Sequence, residues 1–422
     1  MRHTEELLDF LYKSPSCFHA VDEIRSCLAE AGYKQLEENE KWEIKAGGRY
    51  FVMRNHSSII ALDLPAKPEK GYRIMASHSD SPCFKIKENP EIVVEDQYVK
   101  LNVENYGGMI YSSWYDRPLS VAGRIVCQDD CGRLTERLVN IDRDLLIIPN
   151  LAIHMDREVN TGYKYNPQKD LQPLYGTIGS KGRFMEEVAA AAGTKADAIL
   201  GHDLFLYQRG RGTVLGGNEE FLSAPKLDDL QCAFSSLKGF TAAKEKKHVS
   251  ILCVFDNEET GSGTKQGAAS SFLYDTLQRV NGAMGRSYED YLVDLAEGFM
   301  VSADNAHGLH PNHQDKADPV NRPVVGGGIV IKFNAAQKYC TDGVSAGFFR
   351  QICKKAGLRT QTFTNRSDIA GGSTLGNLSN MMVPIKSVDI GLPQLAMHSA
   401  WETAGVKDTE DMIVMAEEFF RE

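Results

Sequence analysis

Short apolar runs alternate with amphipathic stretches at both ends of this chain, a pattern that demands an α/β layer with part of its sheet parallel. After Pro225 the spacing predicts a helix over 230–243, a buried strand over 249–255, a helix over 270–279 and a strand over 298–302. Further on it predicts a strand over 328–333, a helix over 345–356, strands over 360–362 and 382–390, and a last helix over 408–421. Ahead of residue 84, two amphipathic helices over 4–13 and 18–32 precede strands over 49–54, 59–64 and 72–75. Ser14-Pro15-Ser16 stops the first helix and Gly32 closes the second.

The middle of the chain has a different character. Short β-rich segments at 91–94, 98–103, 119–127, 137–141, 145–148 and 204–207 are divided by Gly-containing turns, with one helical interlude over 183–192. We therefore expect an open mixed-sheet α/β domain assembled from residues 1–84 plus 222–422, with a β-rich insert over 85–221. A length of 422 residues suits such an arrangement of two large units.

Composition narrows the function. Forty-seven basic against 57 acidic residues leave a net charge of −10, which disfavours nucleic acid and anionic membranes as partners. No apolar run approaches the ~20 residues of a membrane helix. Glu5 and Glu6 interrupt the N-terminus where a secretory signal needs continuous apolar sequence. Nine cysteines without a CxxC motif read as reduced thiols, and the expected location is cytoplasmic. Cys127 and Cys131, the closest pair, read as two thiols beside a turn, because no second pair completes a metal set.

Chemistry concentrates just after the apolar strands. Residues 72–75 are followed by His78, 249–255 by Glu258 and Glu259, 298–302 by Asp304, and 382–390 by His398. Open α/β sheets bind ligands outside the carboxyl ends of their strands, so parallel neighbours bring these side chains into one crevice. Asp228, in Ala224-Pro225-Lys226-Leu227-Asp228-Asp229, adds a fifth candidate just before a helix. Imidazole and carboxylate donors without thiolates suit zinc, manganese or cobalt. Two ions need one bridging carboxylate with ligands on either side, and the set provides that number. The Glu258-Glu259 doublet then leaves one carboxylate for acid–base work, since adjacent residues at a strand end point differently. Taken singly, Asp228 or Asp304 reads as a helix cap or loop acid, and His78 or His398 as structural. Their coincidence after successive strands is what argues for a site.

Five stretches together resemble the M18 metallo-aminopeptidases, the aspartyl aminopeptidase family. They are Ala76-Ser77-His78-Ser79-Asp80-Ser81-Pro82-Cys83, Ala224 to Leu230, Phe255-Asp256-Asn257-Glu258-Glu259-Thr260-Gly261-Ser262, Ser302 to His307 with His310-Pro311-Asn312, and Pro393 to Ser399. The resemblance implies an open mixed-sheet metallopeptidase domain, an inserted dimerisation domain and two divalent ions, zinc first, with manganese or cobalt as alternatives. It implies Asp228 as bridge, His78 and Asp304 at one ion, Glu259 and His398 at the other, Glu258 as general base, and Asp80 orienting a ligating imidazole. It also marks Asp228-Asp229 as a candidate cis peptide bond. His154 resembles a histidine that reaches the active site of a neighbouring subunit. Lys332 resembles a lysine that pairs with an acidic substrate side chain, with Tyr339 nearby. The implied activity is removal of N-terminal residues, preferentially Asp or Glu, from peptide substrates, and the implied partner is the chain itself, in a tetrahedral homododecamer built from dimers.

Other readings stay open at this point. A related di-metal deacylase or carboxypeptidase would use the same donors, and a noncatalytic self-assembling cargo or scaffold protein would need none of them. Met397-His398-Ser399-Ala400-Trp401-Glu402 departs from the family, which often has a basic residue before the Glu. His307, His310 and His313 are spaced by three, but Gly308 and Pro311 interrupt a helix there, so loop roles are expected. Gly326-Gly327-Gly328 and Gly371-Gly372-Ser373-Thr374 lack a following GK[ST] and read as tight turns or pocket lining.

Overall fold

The computed structural model describes residues 2–129 and 131–422. A nine-stranded sheet forms the core, in the order Lys34–Leu36, Arg49–Arg54, Ser58–Asp63, His248–Phe255, Glu69–His78, Phe299–Ala303, Lys386–Gly391, Ile329–Lys332, Thr360–Phe363. Its four central strands, His248–Phe255 through Lys386–Gly391, are mutually parallel, while antiparallel pairings flank them. The sheet is thus open and mixed, as the alternating pattern predicts.

Both faces of the central strands are buried, so these strands read as continuous apolar runs. Alternate residues divide between two cores. Met75, Leu252, Val301 and Val388 pack beneath the helices Arg2–Lys13, Cys17–Glu30, Leu227–Ala242, Gly343–Lys355 and Val406–Arg421. Ile74, Ile251, Cys253 and Met300 pack on the opposite side under Phe272–Ala283, Tyr288–Glu297 and Leu375–Met382.

A six-stranded antiparallel sheet uses only strands from the middle of the chain: Leu134–Asn140, Leu119–Gln128, Ile199–Gln208, Cys83–Val94, Tyr98–Tyr106 and Leu174–Thr177. It has its own apolar core around Phe84, Trp114, Val121, Phe184 and Leu206. A third, five-stranded sheet joins Phe221–Ala224 to Glu402–Gly405 and Pro393–Leu395.

Several local expectations need correction. Residues 145–148 form only isolated bridges to Tyr115, Leu119 and Leu174 and make no strand. The helix Tyr288–Glu297 was hidden by its charged sequence, yet Ser287 and Asp290 form a reciprocal capping box at its start. Met382 ends the helix Leu375–Met382, so the following strand begins at Lys386. The helix after Pro225 starts early, at Leu227, but Asp228 and Asp229 have non-helical angles within it. All nine cysteines are free thiols.

Candidate metal centre

The parallel register aligns the carboxyl ends that carry the chemistry. Phe255 pairs with His78, Ser302 with Ala76 and Ala303 with Ile390, so the segments after these residues leave the sheet along one edge. Asp228 arrives from a different direction, at the start of its kinked helix, and the Asp228-Asp229 peptide is cis.

The result is two donor triads sharing one carboxylate. His78 Nε2 lies 3.5 Å from Asp228 Oδ1 and 3.8 Å from Asp304 Oδ1. On the other side, His398 Nε2 lies 3.6 Å from Asp228 Oδ2 and 3.4 Å from Glu259 Oε2. Each Asp228 oxygen therefore faces a different imidazole. His78 and Asp228 are almost wholly buried, whereas the His398 side chain keeps 33% of its surface and marks the open side.

The donors fit divalent cations on their own chemistry. Asp228 Oδ1 and Glu259 Oε1 are buried without a hydrogen-bond partner, a costly state for a carboxylate unless a cation answers it. Burial, with His78 opposing and the charges of Asp304, Asp80 and Asp228 adding to it, pushes the Glu258 carboxyl up to about 8. Asp228 moves the other way: burial raises its pKa, but the closeness and positive charge of the His398 and His78 imidazoles hold it well below the usual carboxylate range. Carboxylates outnumber imidazoles in this cluster, and imidazole with carboxylate is a zinc-compatible donor set.

The candidate ligands are held by a surrounding net. Asp80 is buried, and its Oδ1 accepts from the backbone N–H of Glu258 at 3.2 Å and lies 3.3 Å from His78 Nδ1. Its Oδ2 accepts from the N–H of Glu259 at 3.2 Å and from the Tyr106 hydroxyl at 2.7 Å. His78 Nδ1 also meets the Asp80 carbonyl at 3.1 Å, so Asp80 fixes the imidazole through backbone and side chain together, and the backbone of both glutamates through its carboxylate. Among the described residues, the Glu258 side chain accepts no hydrogen bond.

Sequence reasoning missed several members of this net. Asp229 lies in the His78 cluster, and its Oδ2 accepts from the N–H of His78 at 3.0 Å. Glu402 accepts from the N–H of Asp228 at 3.0 Å and of His398 at 2.7 Å, joining two candidate donors far apart in the sequence. Tyr106 comes from the six-stranded sheet, where nothing in the local sequence singles it out. Gly107, at φ +73°, follows it, and a Cβ there would lie 3.0 Å from Glu259 Cβ, so the chain needs glycine to pass this close.

The remaining candidates are placed as follows. Lys332 is buried, with its ammonium 3.2 Å from Asp304 Oδ2 and 5.4 Å from the centre of the Tyr339 ring. Burial works against its charge, but Asp304 foremost, then Tyr339, Asp389 and Asp228, raise its pKa above the ordinary lysine value. His154 is exposed in a turn of the middle region and is not brought to the cluster within this chain. His307 stacks edge-on near Phe363 at 5.8 Å, while His310 and His313 sit 4.9 Å apart on the following loop, outside the metal-donor groups. Gly326 and Gly328 form a tight turn whose N–H groups donate to Asp408 at 2.7 and 3.0 Å. Thr374 ends the other glycine segment and donates to Asp389 at 2.7 Å.

An open α/β sheet whose carboxyl edge gathers one buried and one half-buried imidazole around a shared carboxylate, with a free glutamate beside them, defines a metal-dependent hydrolase. A sequence model described as aminopeptidase I zinc metalloprotease (M18) matches residues 10–420. The chain belongs to the M18 family of metallo-aminopeptidases and is a hydrolase acting on peptide bonds. A Clostridium acetobutylicum protein named probable M18 family aminopeptidase 2 is 44% identical over 427 residues, covering 100% of this chain and 99% of that one. A chain of the cryo-EM Ape4 and Nbr1 complex superposes with TM-score 0.96 at 33% identity, covering 99% of this chain and 85% of that one. The S. cerevisiae mApe1 dodecamer structure gives TM-score 0.86 at 25% identity, with 99% and 95% covered.

Proposed function

We propose that the protein uses two divalent ions to remove N-terminal residues, preferentially Asp or Glu, from peptides. The observation that carries this reading is the division of Asp228, one oxygen toward His78 and the other toward His398. In this reading His78, Asp228 and Asp304 hold one ion, and Asp228, Glu259 and His398 hold the other. Zinc suits these donors first, with manganese or cobalt also compatible. Such ions supply Lewis acidity and make water acidic enough to attack at neutral pH.

The chain's own part is to orient groups and move protons. Glu258, unencumbered by protein donors, takes the proton of the attacking water and returns it to the leaving amine. Asp80 holds Glu258, Glu259 and His78 in fixed relation while this happens. Lys332 donates to Asp304 and to the carbonyl of Asn305, which leaves one of its three N–H groups for a substrate carboxylate beside Tyr339.

The same reading assigns assembly. Residues 85–221 form the inserted dimerisation unit, and its exposed Leu134, Leu151, Ile153, Met155 and Leu200 support burial against other copies. His154, between two of these apolar side chains, serves the active site of a neighbouring subunit. A tetrahedral homododecamer agrees with the dodecamer reported for the S. cerevisiae relative, and unstructured peptides would enter it where folded proteins would not. In this reading the place of action is the cytoplasm, a compartment suited to its nine free thiols.

A metal-supplemented panel of aminoacyl substrates, free and N-acetylated, tests the function. Asp and Glu substrates should turn over fastest, and acetylation should abolish cleavage. Equal cleavage of acetylated peptides would favour a deacylase instead.

A further inference from the structure

We propose that Lys332 is a positioning residue for Asp304, so that the ammonium that favours acidic substrates also sets metal affinity. The inference rests on the two-ion reading above and deepens it.

Asp304 must present one oxygen to the ion it shares with His78. Its Oδ1 does face His78 Nε2, at 3.8 Å, while its Oδ2 accepts from Lys332 Nζ at 3.2 Å. A carboxylate tethered through one oxygen loses the rotation that would carry the other off target. The tether is itself fixed. Lys332 closes the strand Ile329–Lys332, its side chain is 3% exposed, and its ammonium also donates to the carbonyl of Asn305 at 3.1 Å. Asn305 in turn cannot drift: its Nδ2 donates to Gln231 Oε1 at 3.0 Å and Gln394 Oε1 at 2.8 Å, and Cys232 Sγ donates to its Oδ1 at 2.8 Å. The ammonium thereby ties the end of its strand to the Asp304-Asn305 segment, which the helix Leu227–Ala242 and the strand Pro393–Leu395 hold through the Asn305 side chain. A lysine serving only as a substrate-recognition charge needs no second bond to a metal carboxylate and no locked carbonyl behind it.

The sign of the effect separates this role from a purely electrostatic one. Removing a positive charge beside a cation site should strengthen cation binding by Coulomb's law. Removing a positioning group should weaken it, by about 10–100-fold where an outer-shell partner of a metal ligand is lost. The experiment is a competition titration of zinc into chelator-stripped wild type, Lys332→Met and Lys332→Gln, without substrate, with melting and assembly size as folding controls. We expect one of the two zinc sites to weaken about 10–100-fold in Lys332→Met, and less in Lys332→Gln, which keeps a donor. Excess zinc should restore turnover of neutral substrates but not acidic preference. Zinc affinity unchanged or increased in either folded variant would overturn the proposal. If wild type itself bound fewer than two ions, the two-ion reading would fail first; if it lacked acidic preference, only the specificity reading would.

Discussion

Replacing Asp80 by Asn tests the idea that one buried carboxylate organises the whole reacting edge. The carboxylate accepts three hydrogen bonds, from the N–H groups of Glu258 and Glu259 and from the Tyr106 hydroxyl, and lies 3.3 Å from His78 Nδ1, which also meets the Asp80 carbonyl at 3.1 Å. An amide has a single acceptor oxygen, so if it keeps the Glu258 side, the Glu259 N–H and the Tyr106 hydroxyl on the Oδ2 side meet an NH2 group. Tyr106 can adapt, because its hydroxyl also accepts hydrogen bonds, as it does from Asn257 at 2.8 Å. With the amide turned that way, the N–H of Glu259 is left facing another donor. An orphaned buried donor costs about 1–3 kcal/mol, and the retained bonds drop from charge-assisted to ordinary strength, roughly another 1 kcal/mol. A total of about 2–4 kcal/mol corresponds to roughly 30–1,000-fold, since 1.4 kcal/mol is a factor of ten. Part of that is expressed as weaker metal binding, about 10–100-fold, and the rest as slower turnover by a misaligned Glu258. Metal content after dialysis and kcat/KM on one good substrate measure the two parts. If Asp80→Asn keeps metal affinity within about threefold and kcat/KM within about fivefold of wild type, far short of the outer-shell cost, Asp80 does not organise this edge.

Further predictions concern the ligands, the packing and the pH response. Glu258→Gln should retain its metal and lose roughly 10²–10⁴ in kcat; metal analysis beside steady-state kinetics checks both halves, and a fully active variant would remove Glu258 as the base. Asp228→Ala should lose metal as well as activity, so a full metal complement in that variant argues against a bridging role. Gly391→Ala places a Cβ 2.0 Å from the carbonyl oxygen of Asp304 and should shift that ligand, lowering both melting temperature and metal affinity; wild-type values for both would show that the strand ends adjust freely. His19 has its pKa lowered to about 4, chiefly by burial, with Asp22 opposing and Lys226 assisting. The unfolded chain therefore binds a proton that the fold refuses, and this contribution to stability, complete above about pH 6.5, is lost as pH falls toward 4. Melting curves of His19→Gln should accordingly fall less steeply than wild type between pH 7 and 5; parallel curves would contradict the assignment.

That the candidate donors gather at one edge was legible because all but Asp228 follow an apolar strand, and strand-end position is a one-dimensional signal. His78 and Asp304 show this well, since the run of buried residues before each one names the strand that carries it. The net behind the ligands was less accessible. Tyr106 comes from another sheet, and Glu402 reaches Asp228 across 174 positions. Hydrogen bonds between distant segments leave no periodicity in the sequence. The charged helix Tyr288–Glu297 was missed for a related reason: only the reciprocal Ser287–Asp290 cap marks its start.

By itself, the sequence determined that the chain forms an open α/β sheet with a β-rich middle, and which residue types stand at its strand ends. The alternation of apolar and polar positions records burial, and burial follows from local composition. Tertiary structure decided the order of the strands, and with it the distances: Phe255 beside His78, Ala303 beside Ile390, and Asp228 turned so that its two oxygens face different imidazoles. Those separations depend on how hundreds of residues pack together, and no local stretch of the chain encodes them.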